Sequence, residues 1–119
     1  MRGVFKTMKE QINKVIKGLN IAESIRLKAE GCTNECFFKD DKLTEQYTFK
    51  AIVKKKYIYL NVGDSGVFMV GLDGEIFNIK GYGKIDQNKK IKANLGNIKD
   101  YNTQEEFNLL LTKRYNYLR

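Results

Sequence analysis

Tyr57–Gly83, YIYLNVGDSGVFMVGLDGEIFNIKGYG, holds the densest apolar content of the chain and reads as three short β-strands joined by two tight turns. In its first part Ile58, Leu60 and Val62 share one face, and Tyr57, Tyr59 and Asn61 share the other, because side chains alternate along a strand. Gly63-Asp64-Ser65-Gly66 supplies a turn. Val67-Phe68-Met69-Val70 is apolar on both faces, as expected of a central strand covered on each side. Leu72-Asp73-Gly74 is a hairpin signal, with a glycine available for positive φ. Glu75–Lys80 is the partner strand, with Phe77 and Ile79 on one side and Ile76 on the other. Gly81-Tyr82-Gly83 then predicts a sharp departure of the backbone from the sheet.

Upstream, Gln46–Lys54 carries the same period of two. Tyr47, Phe49, Ala51 and Val53 point one way; Thr48, Lys50, Ile52 and Lys54 point the other. Lys54-Lys55-Lys56 forms a basic turn into the central stretch. Earlier still, Phe5–Leu19 predicts an amphipathic helix. Val4, Met8, Ile12, Val15, Ile16 and Leu19 recur at three- and four-residue steps, with lysines opposite and Gly18 and Asn20 as a stop signal. Ile25, Leu27 and Ala29 alternate and predict a strand at about Glu23–Glu30 ended by Gly31, a second short helix being the alternative. The acidic segment Glu30–Glu45 reads as a solvated loop or an edge hairpin around Phe37-Phe38.

Downstream, Ile85–Lys99 is polar and basic, with one further short strand allowed around Ile91 and Ala93 and a turn at Gly96. Thr103-Gln104-Glu105-Glu106 matches a capping box. The stripe Phe107, Leu110, Leu111, Tyr115 and Leu118 then predicts a closing helix. The expected fold is a single α+β domain over residues 1–119: an antiparallel sheet of four to five strands packed against N- and C-terminal amphipathic helices.

Composition narrows the function. The 119 residues include no His, Pro or Trp. Without imidazole, Ser-His-Asp and Cys-His catalysis and His-containing zinc sites are excluded. Cys32 and Cys36 alone cannot complete a tetrahedral zinc site within one chain, and Asp40, Asp41 and Glu45 lack calcium-loop spacing. Asp64, Asp73 and Glu75 sit at or beside turns, where Asp bonds its own backbone. No phosphate-binding glycine motif occurs. The sequence therefore implies no cofactor, no metal and no enzyme; an enzyme working through Lys and carboxylates is the remote alternative. No segment approaches a membrane span, and residues 1–20 lack the apolar core of a secretory leader. The expected location is the cytoplasm, with both thiols reduced.

The formal net charge is +8, a balance that favours phosphate-rich partners. Tyrosines on a sheet face flanked by cations can stack bases and hold phosphates. The candidate partner-binding residues are therefore Lys50, Lys54, Lys55, Lys56, Tyr57, Tyr59, Tyr82, Lys84, Lys89, Lys90 and Lys92. The expected partner is nucleic acid or a nucleoprotein complex, with no membrane involved.

The runs Ser65–Val70 (SGVFMV), Gly74–Ile85 (GEIFNIKGYGKI) and Leu95–Ile98 (LGNI) resemble a pattern in small uncharacterised proteins of phages and mobile elements. The resemblance covers about a third of the chain and is structural, so it transfers no functional residue. It implies a setting, an accessory gene of a phage, plasmid or integrated element in a low-GC bacterium. Small basic proteins there often act by binding DNA, or by inhibiting a host defence complex such as a CRISPR nuclease. An accessory factor for replication or conjugative transfer is the alternative.

Overall fold

The computed structural model describes residues 2–81, 84, 85 and 95–118, with side chains from Met8 to Ile79 and from Leu95 to Lys113. Helix α1 spans Arg2–Ala29, followed by two-residue strands β1 (Phe38–Lys39) and β2 (Lys42–Leu43). A 3-10 turn at Glu45–Tyr47 leads into β3 (Phe49–Val53), β4 (Tyr57–Val62), β5 (Ser65–Gly71), β6 (Ile76–Gly81) and β7 (Lys84–Ile85). A second 3-10 turn, Ile98–Asp100, precedes helix α2 (Gln104–Leu118). The strands β3 to β7 form one antiparallel meander in chain order, and β1 and β2 make a separate small hairpin. The expected α+β architecture is the one observed.

The central stretch follows its alternation. Ile58, Leu60, Phe68, Val70 and Ile76 are buried on the face that meets the helices, and all four residues Val67–Val70 are buried. A bulge between Leu60 and Asn61 interrupts the β4–β5 register, which adds local twist. At the far side the chain stays in the sheet instead of leaving it. Strand β6 runs on to Gly81, and Lys84 and Ile85 return antiparallel to Gly81 and Ile79. The strand allowed around Ile91 and Ala93 lies outside the described residues.

Helix α1 departs most from expectation. It does not stop at Gly18 and Asn20, and Glu23–Ala29 is its continuation, neither a strand nor a separate short helix. The physical reason is the buried stripe Met8, Ile12, Val15, Leu19, Ala22 and Leu27, which keeps helical spacing to the end and outweighs the local alternation of Ile25, Leu27 and Ala29. Glu23 lies on this stripe, fully buried. The Arg26 guanidinium donates Nε–H to Glu23 Oε1 at 3.0 Å and a second bond from Nη2, and it also reaches Glu30 Oε2 at 2.9 Å. Removing Arg26 would leave a carboxylate buried without that cation, a strongly destabilising change.

The helix ends at Gly31, whose φ of 79° is in the left-handed region. Cys32 N–H donates to Leu27 O at 2.8 Å and Gly31 N–H to Lys28 O at 3.1 Å, the paired bonds of a Schellman cap. Asp40 and Asp41, both at positive φ, turn the β1–β2 hairpin, as short Asx side chains permit. Phe38 is buried beneath it, with Lys28 Nζ 5.1 Å from the ring centre. Phe37 packs on Tyr47 at 4.6 Å between centroids.

Helix α2 begins on the expected box. Glu106 Oε1 accepts from Thr103 N–H and Asn102 N–H, each at 3.0 Å, and Glu106 N–H donates to Thr103 Oγ1 at 3.3 Å. Phe107, Leu110 and Leu111 are buried and join α1 and the sheet in a single core. The side chains of Tyr115 and Leu118 lie outside those described.

Candidate functional site

The sheet face opposite the helices carries the residues singled out for binding. Cross-strand register aligns Ile52 with Tyr59, Tyr59 with Met69 and Met69 with Phe77. Met69 is buried between two half-buried rings. One row along, Tyr57 stands opposite Gly71. With no side chain there to intervene, the Tyr57 ring meets Phe77 edge-on at 6.1 Å between centroids, the geometry that suits the ring quadrupoles. The result is an aromatic surface, half exposed at Tyr57, Tyr59 and Phe77.

Cations border it on the β3 side. Lys54 Nζ lies 5.8 Å from the centre of the Tyr59 ring, within cation–π range. Lys50 stands opposite Asn61 in register and lies 3.9 Å from Glu45 Oε1. Glu45 is exposed and Lys50 half-exposed, so the pair contributes little. Lys55 and Lys56 occupy the tip of the β3–β4 hairpin, closed by Lys54 N–H to Tyr57 O at 2.9 Å. Both are exposed, and among the described residues neither pairs with a carboxylate.

Six of the eleven singled-out residues are thus together: Lys50, Lys54, Lys55, Lys56, Tyr57 and Tyr59. Lys84 is described as backbone of β7 only. Tyr82, Lys89, Lys90 and Lys92 lie outside the described residues.

The expected strand Gln46–Lys54 starts later, at Phe49, because Glu45–Tyr47 coils into a 3-10 turn. Its helix-side face divides: Phe49 is buried, but Ala51 is exposed and Val53 is 77% exposed. Alternation alone gave no sign of this. The cue present in the sequence is the lysine run that follows Val53, which marks an open strand end.

Cys32 is half buried and Cys36 exposed, both as free thiols. Asp41 pairs with Lys28 at 3.3 Å, and Asp73 accepts from Glu75 N–H at 3.1 Å. Among the described residues no group of three His, Cys, Asp or Glu side chains could hold a metal ion, and no helix is long and apolar enough to cross a membrane. A depression of about 380 Å³ lies between Glu45, Gln46, Lys50, Gly63 and Asp64. Two carboxylates, Glu45 and Asp64, and one cation, Lys50, line it.

No protein-family model matches the chain, and no curated protein or solved structure matches it.

Proposed function

We propose that this chain is a non-enzymatic binding protein that engages a nucleic acid or a nucleoprotein complex through the Tyr57 and Tyr59 face of its sheet. One observation carries the reading: Tyr57 and Tyr59 lie half exposed on that face beside Lys50 and Lys54, with Lys55 and Lys56 exposed at the adjoining hairpin tip. Rings of this kind stack on bases without demanding a sequence, and the lysines meet the backbone phosphates. The net charge of +8 supports the same partner class. The phage or mobile-element setting suggested by the sequence makes a host defence complex a fitting target, with the protein as its inhibitor in the cytoplasm.

The test is capture of partners from a bacterial host with and without nuclease, using the native chain and the triple variant Lys54→Glu, Lys55→Glu, Lys56→Glu. Nuclease-sensitive capture lost in the triple variant supports nucleic-acid binding; nuclease-resistant capture of a nucleoprotein, lost likewise, supports inhibition of a complex. Unchanged partner binding by the variant overturns the reading. Direct binding to DNA should weaken steeply as salt rises, because counterions are released. Such binding without any nucleoprotein target would favour an accessory role in replication or conjugative transfer.

A further inference from the structure

The outer edge of β3 has a closed half and an open half. Lys54 N–H bonds to Tyr57 O at 2.9 Å and Gly63 N–H to Thr48 O at 3.3 Å, so the even-numbered residues turn their main-chain groups toward β4. Hydrogen bonding alternates along an antiparallel pair, so Phe49, Ala51 and Val53 turn theirs outward. The Phe49 pair is taken by one side chain: Phe49 N–H donates to Asn20 Oδ1 at 2.6 Å, and Asn20 Nδ2 donates to Phe49 O at 3.3 Å. Asn20 thereby imitates a neighbouring strand. Among the described residues nothing does the same for Ala51 or Val53, whose side chains are exposed as well.

The course of α1 explains the gap. Gln11 Nε2 donates to Ile98 O at 2.9 Å and Tyr101 O at 2.7 Å, and Ile98 N–H donates to Gly74 O at 2.7 Å. This fixes Gln11 near the β5–β6 turn, at the same end of the meander as Lys54–Lys56. Asn20 is fixed at the other end, on the first residue of β3. The helix therefore crosses the sheet diagonally and leaves the corner at Ala51 and Val53 uncovered.

We propose that the Ala51–Val53 edge accepts an extended acidic segment of a partner protein as an additional strand of the sheet. The open groups are alternating N–H donors and C=O acceptors, which a peptide main chain matches and a nucleic acid does not. Charge selects among peptides. A second copy of this chain, paired antiparallel about Ile52, would set Lys50 of each copy opposite Lys54 of the other. Like charges directly opposite across strands repel, and edge lysines are a common defence against self-pairing. An acidic segment turns the repulsion into attraction.

Register then gives the pattern. Five partner residues stand opposite Lys50 to Lys54 in antiparallel order: acidic, three apolar, acidic. The outer two and the middle one lie on the Tyr59 face, beside Lys54, Lys50 and Ile52. The second and fourth lie beside Val53 and Ala51 and exchange main-chain bonds with them. The proposal shares Lys50 and Lys54 with the polyanion reading but rests on main-chain groups that reading does not use.

The test uses the full chain and a fluorescein-labelled peptide, Gly-Ser-Glu-Val-Val-Val-Glu-Ser-Gly, followed by anisotropy and by amide hydrogen exchange. Binding should slow exchange at the Ala51 and Val53 amides. Val53→Pro deletes an outward N–H where an edge strand tolerates proline, and it should weaken the peptide at least about tenfold. The double variant Lys50→Glu, Lys54→Glu should lose the acidic peptide and gain its Lys-Val-Val-Val-Lys counterpart. Absence of peptide binding overturns the proposal, as does equal binding by Val53→Pro or a self-association that Val53→Pro abolishes. A single-stranded oligonucleotide run in parallel should bind Val53→Pro unchanged, so the two readings can fail separately.

Discussion

The ring of Phe107 lies against the bare backbone of Gly18: a Cβ at position 18 would stand 2.0 Å from Phe107 Cδ2 and 2.3 Å from Cγ. Gln104 Nε2 donates to the Gly18 carbonyl at 2.9 Å in the same contact. The glycine is therefore a point of close approach of α1 and α2, and it works by having no side chain within a continuous helix.

Replacing Gly18 with Ala should lower stability by about 1–3 kcal/mol, the usual cost of overpacking a core. That runs against the roughly 1 kcal/mol that Ala gains over Gly in a helix. In a Phe107→Ala background, where the ring is gone, the same substitution should become stabilising. Urea unfolding of the four proteins in the cycle checks it. A stabilising Gly18→Ala in the native background would show that the two helices do not meet there.

Asn20→Ala should leave the main-chain groups of Phe49 without their present partners, at a cost of about 1–3 kcal/mol. Asn20→Asp keeps the acceptor for Phe49 N–H and loses the donor to Phe49 O, so it should fall between the two. Hydrogen exchange at the Phe49 amide reports the local effect directly: faster in Asn20→Ala, little changed in Asn20→Asp. Equal protection in all three proteins would mean that Asn20 does not close this half of the edge.

The same two contacts mark what could be read in the chain beforehand. Strands β4 to β6 were legible because the alternation of β4, the apolar run Val67–Val70 and strong turn residues agree over Tyr57–Lys80. The second half of α1 was not. Its stripe passes through Glu23, a buried carboxylate that Arg26 reaches, while the apolar Ile21 and Ile25 are 51% and 54% exposed. A hydrophobicity pattern reads both facts the wrong way round. Gly18 looked like punctuation because its reason, Phe107, lies far away in sequence. The face shared by Lys50, Lys54, Tyr57 and Tyr59 followed from period two alone. The exposure of Val53 did not, since it depends on the diagonal of α1.

The Glu106 carboxyl is held below the usual carboxylate range, chiefly by the Asn102 N–H and then by the Thr103 hydroxyl. A carboxylate whose folded pKa is depressed adds stability above its unfolded pKa, and loses that contribution as pH falls through the folded one. Wild type should therefore exceed Glu106→Gln in urea midpoint at neutral pH, and the gap should narrow on acidification below the ordinary carboxylate pKa. The side chain is half-buried at the surface, so the effect should also shrink in high salt. A gap that stays constant with pH would show that the charge of Glu106 contributes nothing to the cap.

Asn78 sits in the core beside Phe68, its cross-strand partner, and is 3% exposed. Among the described residues its Oδ1 has no hydrogen-bond partner. A buried acceptor left unmatched costs about 1–3 kcal/mol, whereas an apolar group of similar shape carries no such penalty. Asn78→Leu, which keeps the branched shape at a larger volume, should therefore raise the urea midpoint with little change in the slope of the transition, since the area exposed on unfolding changes little. Asn78→Asp should do the opposite and more strongly, because it would bury a charge at the same point. If Asn78→Leu proves destabilising, an ordered water bonded to Oδ1 is the physical alternative, and a high-resolution crystal structure would show it.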